Sequence, residues 1–89
     1  MTREDAIRIS GLHQIFYDDE RLSNQQKDIA LMYAFGATID EIADIKGIKS
    51  GTVRLHLDTA KATLGAVTLS SIKSAVFLRM TSLLLSKIS

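Results

Sequence analysis

Two short pairings do most to limit how this chain can fold: Ser23 with Gln26, and Thr38 with Glu41. In each, a hydroxyl is followed three positions later by a carboxamide or carboxylate. The hydroxyl can accept from the backbone N–H three residues on, while the longer side chain returns to the first residue's own N–H, and this marks a helix start. The two starts are fifteen residues apart, with Gly36 between them. One helix must therefore close near Gly36, where glycine can take the left-handed conformation, and the next must begin almost at once. The chain has no proline, so no ring clash or missing N–H interrupts a helix elsewhere.

The other elements follow from apolar spacing. A first helix is expected from about Arg3 to about Asp18, with Thr2 and Asp5 as a capping-box-like start and Ile9, Leu12, Ile15 and Phe16 as its stripe. Gly11 weakens it, and the run Asp18-Asp19-Glu20, unfavourable at a helix C-terminus, argues for a stop there. The second helix, capped by Ser23, turns Ile29, Met32 and Tyr33 inward with Ala30 beside them. The third, capped by Thr38, is only about two turns long, directs Ile42, Ala43 and Ile45 inward and ends at Gly47. The fourth starts near Lys49 or Ser50, repeats Val53, Leu57, Ala60 and Leu64 at helical spacing, and stops at Gly65. The last runs from about Ser70 to Lys87, with Ile72, Val76, Leu83, Ala75, Met80 and Leu84 on a broad apolar face. Val67-Thr68-Leu69 is too short to be a strand, so the fold class is all-α.

Composition narrows the function classes. At 89 residues the chain holds one domain with a thin core. Without cysteine it has no disulfide framework and no thiolate metal site. His13 and His56 lack ligand spacing, and no metal or cofactor is implied. No nucleophile with a base, paired carboxylates or phosphate-binding glycine loop can be assembled, so an enzyme is not expected. Asp18, Asp19 and Glu20 are consecutive, their side chains diverge, and they read as a solvated charge run. The net charge is +1, divided as −2 over residues 1–21, zero over 22–65 and +3 over 66–89. The acidic residues near the start do not fit a signal peptide. Val76 to Ile88 is too short and too polar to span a bilayer. A cytoplasmic protein is expected, with no membrane partner.

The stretch with most functional content combines the short third helix, a tight turn at Gly47-Ile48 and the longer fourth helix. That is the helix-turn-helix pattern, whose second helix enters the DNA major groove. Ala43 lets the two helices cross closely, Gly47 supplies a positive φ, and Ile48 and Val53 fill the angle between them. From Leu22 to Gly65 the segment resembles, without a gap, the DNA-binding output domain of LuxR/GerE-type transcription regulators. The resemblance rests on Leu22-Ser23, Gly36, Glu41-Ile42-Ala43, Gly47-Ile48, Thr52-Val53-Arg54-Leu55-His56 and Leu64-Gly65. Region 4 of sigma factors shares much of this pattern, but the Leu-Gly ending and the helix after it favour LuxR/GerE.

The resemblance implies an N-terminal helical extension over residues 1–21, a GerE-like four-helix domain over 22–80, and an extension of the last helix over 81–89. It implies a transcription regulator whose partner is double-stranded DNA, associated with the nucleoid. Lys46, Lys49, Ser50, Thr52, Arg54, Asp58 and Lys61 are the expected DNA-binding residues: Arg54, Thr52 and Asp58 toward bases, the lysines toward phosphate. His56 is expected to pack within the fold. In that family the last helix commonly forms the dimer contact, which points to a homodimer through Ile72, Val76, Met80, Leu83 and Leu84. The apolar residues Phe77, Leu78, Leu85 and Ile88 also exceed what one small core can absorb.

Several positions depart from the family pattern. Uncharged Asn24, Gln25 and Gln26 replace charged residues, Asp44 stands where Arg is common, and Lys46 where Leu is common. Lys49 replaces the usual Ser, which shifts the expected cap to Ser50. Leu57 replaces a frequent basic residue, Thr63 the usual Lys, and Asp58 and Thr59 the usual polar pair. Asp58 would repel phosphate but can accept from a cytosine amino group. A second reading therefore stands beside the first: a protein-interaction module on the same fold, an antagonist or accessory of a larger regulator or of RNA polymerase. No receiver or ligand-binding domain stands before the motif in this sequence, so internal sensing or phosphorylation is not expected.

Overall fold

The computed structural model describes Thr2, Glu4 and residues 8–88. Among them every regular element is helical. After helical backbone at Glu4, Arg8 and Ile9 come two short 3-10 segments and four further helices, labelled here α1 (Asn24–Ala34), α2 (Ile39–Lys46), α3 (Ser50–Thr63) and α4 (Leu69–Ile88). Both expected capping boxes form. Ser23 Oγ accepts from Gln26 N at 3.1 Å and Gln26 Oε1 from Ser23 N at 3.0 Å. Thr38 Oγ1 accepts from Glu41 N at 3.1 Å and Glu41 Oε1 from Thr38 N at 3.0 Å. Each cap stabilises its helix by about 1 kcal/mol.

Helix α1 is the hub, packing against α2, α3, α4 and the first 3-10 segment. Neighbours on several sides bury its four successive residues Ile29, Ala30, Leu31 and Met32. The expected stripe thus gains Leu31, because a surrounded helix has no single inward face. Ile42 from α2, Val53, Leu57 and Ala60 from α3, and Ile72 and Val76 from α4 complete the centre. Among the described residues no helix is long and apolar enough to cross a membrane.

The N-terminal region differs from the continuous helix expected up to Asp18. Arg3 and Asp5, which belong to its expected first turn, lie outside the described residues. Glu4, Arg8 and Ile9 have α-helical backbone, as expected, but from Ser10 to Ile15 the chain tightens into a 3-10 helix, followed by extended backbone at Phe16. Ile15, the last residue of that 3-10 helix, and Phe16 beside it are both buried. The acidic run opens a 3-10 turn, Asp18–Glu20, instead of closing a helix. Glu20 accepts from Tyr17 N at 2.8 Å, so its charge sits at the favourable end of the turn. Nor is Glu20 freely solvated. Arg79 of α4 donates to both its carboxylate oxygens, at 2.6 and 2.7 Å. Arg79 also donates to Ile15 O at 3.2 Å and lies 4.2 Å from the centroid of the Tyr17 ring. The N-terminal segment is thereby fastened across 59 residues to α4.

Candidate nucleic-acid interface

Three residues, Gly47–Lys49, join α2 to α3. Gly47 has φ +67°, and Ile48 N reaches back to Ala43 O at 3.1 Å, closing α2 while the chain reverses. A residue with a β-carbon would be strained in that conformation. Lys49 occupies the N-cap of α3 and makes no side-chain cap there. The expected cap at Ser50 is corrected accordingly: Ser50 is the first residue of the helix, and its hydroxyl donates to Asp40 Oδ1 at 2.7 Å. That bond ties the start of α3 to the first turn of α2, so the two helices begin from a braced corner.

Val53, Leu57 and Ala60 fasten α3 to the core along one side. At 100° per residue the opposite side carries Gly51, Leu55, Asp58, Thr59 and Ala62, with Arg54 at its edge. All six are exposed. Leu55 stands close to the outward direction and is 67% exposed, with the small Gly51 one turn before it, Thr59 one turn after it and Ala62 two turns after it. Arg54 Nε lies 3.9 Å from Asp58 Oδ1, a loose i,i+4 pair. The Thr59 hydroxyl is turned back to Leu55 O at 3.1 Å.

The expected DNA-binding residues therefore fall into different environments. Arg54, Asp58 and Ser50 share the exposed side of α3, with Lys49 exposed at its start. Thr52 and Lys61 are half-buried at its flanks. Lys46 is held elsewhere: its ammonium donates to Asp28 Oδ2 at 2.6 Å, and the other oxygen of Asp28 meets His13 Nε2 at 2.5 Å. All three side chains are about four-fifths buried. Lys46 serves as an internal strut linking the end of α2 to α1 and the N-terminal segment, and is not presented as a phosphate-binding group. His56 is half-buried on α3. Leu55 was not among the expected site residues, although its place two residues past the core residue Val53 puts it far round the helix.

The expected dimer residues divide too. Ile72 and Val76 have no surface to offer a second chain, because α1 and α3 already cover them. Met80 and Leu83 are half-buried, and Leu84 is exposed. The apolar residues that do face outward are Phe77, Leu78, Leu84, Leu85 and Ile88, joined by Phe35 at the end of α1. From Ser74 to Ser86 the exposed positions are Ser74, Phe77, Leu78, Ser82, Leu84, Leu85 and Ser86, none charged. Phe35, Phe77 and Leu84 line a groove of about 230 Å³ between α1 and α4.

No protein-family model, curated protein or solved structure matches the chain.

Proposed function

We propose that this chain is a sequence-specific DNA-binding transcription regulator of the LuxR/GerE type, acting as a homodimer that inserts α3 into the major groove. The observation that carries the reading is the pair α2–α3. A two-turn helix, a three-residue turn and a longer helix are braced by Ser50 and Asp40, and the longer helix keeps one long side free. That is what a recognition helix requires: a fixed angle of presentation and an unobstructed face. The resemblance over Leu22–Gly65 supports the same reading.

The uncharged ridge of α4 supports pairing of two copies. Phe35, Phe77, Leu78, Leu84, Leu85 and Ile88, at 48–80% exposure, offer the apolar centre of such a contact. A standard interface needs about 800 Å² per partner, which surrounding serines can complete. Two recognition helices would then meet half-sites about one helical turn apart.

Charge favours a modest electrostatic component. Lys46 is bound to Asp28, and Arg54 shares its charge with Asp58. Lys49 and Lys61 of each copy remain as phosphate contacts, which gives about four per dimer and a slope of about −4 for log K against log salt. The test is fluorescence anisotropy with fragments of the host genome and with a random duplex pool, over a salt series. Selective binding with that slope, reduced at least fivefold by Arg54→Ala, is the expected result. Binding that Arg54→Ala leaves unchanged removes this assignment of Arg54.

The same neutralised face favours one second reading, a module that docks on a larger regulator or on RNA polymerase. It requires that the purified protein bind no duplex at low salt and co-purify with a specific protein.

A further inference from the structure

Within the DNA-binding reading, on which this inference rests, the outward side of α3 restricts which bases it can read. Its polar groups do not form a generic phosphate grip. Arg54 offers guanidinium donors, Asp58 only acceptors, and the Thr59 hydroxyl already donates to Leu55 O at 3.1 Å. Between them stands Leu55, 67% exposed, with only Gly51 one turn before it and Thr59, its hydroxyl already turned back, one turn after it. A leucine so placed would be the first side chain to meet the floor of a major groove. It can make no hydrogen bond there, and the one apolar feature on that floor is the thymine 5-methyl group.

We propose that α3 reads a half-site in which Leu55 rests on a thymine methyl beside a guanine bound by Arg54. Asp58 is the selecting residue of the trio. At 3.9 Å from Arg54 Nε it can brace the guanidinium toward guanine O6 and N7. Its carboxylate also accepts from the exocyclic amino group of a neighbouring cytosine or adenine and repels a phosphate. A face of this kind gives up sequence-independent affinity and keeps discrimination. This accounts for an acidic residue in the middle of a recognition surface, where charge attraction alone would disfavour one.

The experiment starts from duplexes that the wild-type protein selects from a random pool at moderate salt. In a selected half-site each thymine is replaced singly by uracil, which removes only the methyl group. Affinities are measured for the wild type, Leu55→Ala, Asp58→Asn and Asp58→Ala, with circular dichroism confirming that each variant is folded. One thymine-to-uracil change should cost the wild type about fourfold, the value of one buried methyl, and should cost Leu55→Ala nothing. Both Asp58 variants should bind the random pool several-fold more tightly while discriminating less against loss of the guanine. If the wild type selects a sequence yet tolerates every uracil, or if Leu55→Ala keeps the same uracil penalty, the inference is overturned and the DNA-binding reading stands. If the folded wild type binds no duplex even at low salt, both fall together.

Discussion

Single residues show how a charge visible in the sequence can be committed inside the fold. Lys46 looks like a phosphate contact because it ends the helix before the turn, but Asp28 holds it at 2.6 Å. Lys46→Met should therefore lower stability by about 1–2 kcal/mol, since it leaves the mostly buried Asp28 carboxylate with one partner fewer. The salt slope of any DNA binding should stay unchanged. Urea unfolding and anisotropy, run together, check both halves of that statement. Glu20 gives a prediction with a definite pH window. The bidentate hydrogen bonds from Arg79 are the largest influence on it and hold its carboxyl below the ordinary value of 4.5, against the opposing effect of burial. The same hydrogen bonds raise Arg79. A carboxyl whose pKa is lowered on folding stabilises the folded state fully above its unfolded value. That contribution is lost as pH falls below 4.5 and through the lowered value. Glu20→Gln should destabilise the protein by about 1–2 kcal/mol at pH 7 and by almost nothing near pH 2. A difference between the two proteins that does not shrink with acid would show that the pair is not the source.

At the scale of elements, two glycines four residues apart in the chain but different in conformation, Gly47 and Gly51, make a useful contrast. Gly47 has φ +67°, and an added β-carbon would meet nothing within 4 Å, so the cost of Gly47→Ala is purely conformational. It should lower stability by about 1–2 kcal/mol. Gly51 lies in the first turn of α3 with ordinary helical backbone and equally open space. Gly51→Ala should raise stability by about 0.5 kcal/mol through helix propensity. Thermal denaturation that moves both variants in the same direction would contradict this account of the corner. Most of the elements were legible in the sequence, because caps are local. Ser23, Thr38 and Gly47 act on backbone groups within a few residues of themselves, so their pattern determines where α1 and α2 start and where α2 ends. The N-terminal segment departs from its local pattern for the converse reason. Nothing local marks the 3-10 path of Ser10–Ile15. It depends on burying the adjacent residues Ile15 and Phe16 against α1 and α4, with Arg79 reaching back from α4 to Ile15 O.

For the whole molecule, the decisive surface is the ridge of α4. If two copies pair through it, Leu84→Glu should give a monomer at micromolar concentration by analytical ultracentrifugation, with the helical circular dichroism spectrum retained because Leu84 is 59% exposed. Val76→Glu should instead prevent folding, since Val76 is only 1% exposed and an unpaired carboxylate cannot be accommodated there. A wild type that sediments as a monomer at high concentration would exclude self-association through this face. Local pattern along the chain is enough to set the helical class, the positions of the caps and turns, and the alternation that sends Val53 and Leu57 one way and Arg54, Leu55 and Asp58 the other. These depend on backbone hydrogen bonding and helical period, which act over a few residues. It took the tertiary packing to bind Lys46 and Glu20, to place Ile72 and Val76 in the core, and to leave Phe35 facing outward. Those outcomes depend on which groups meet across 18 or 59 residues of chain, and on which side of each helix its neighbours happen to cover.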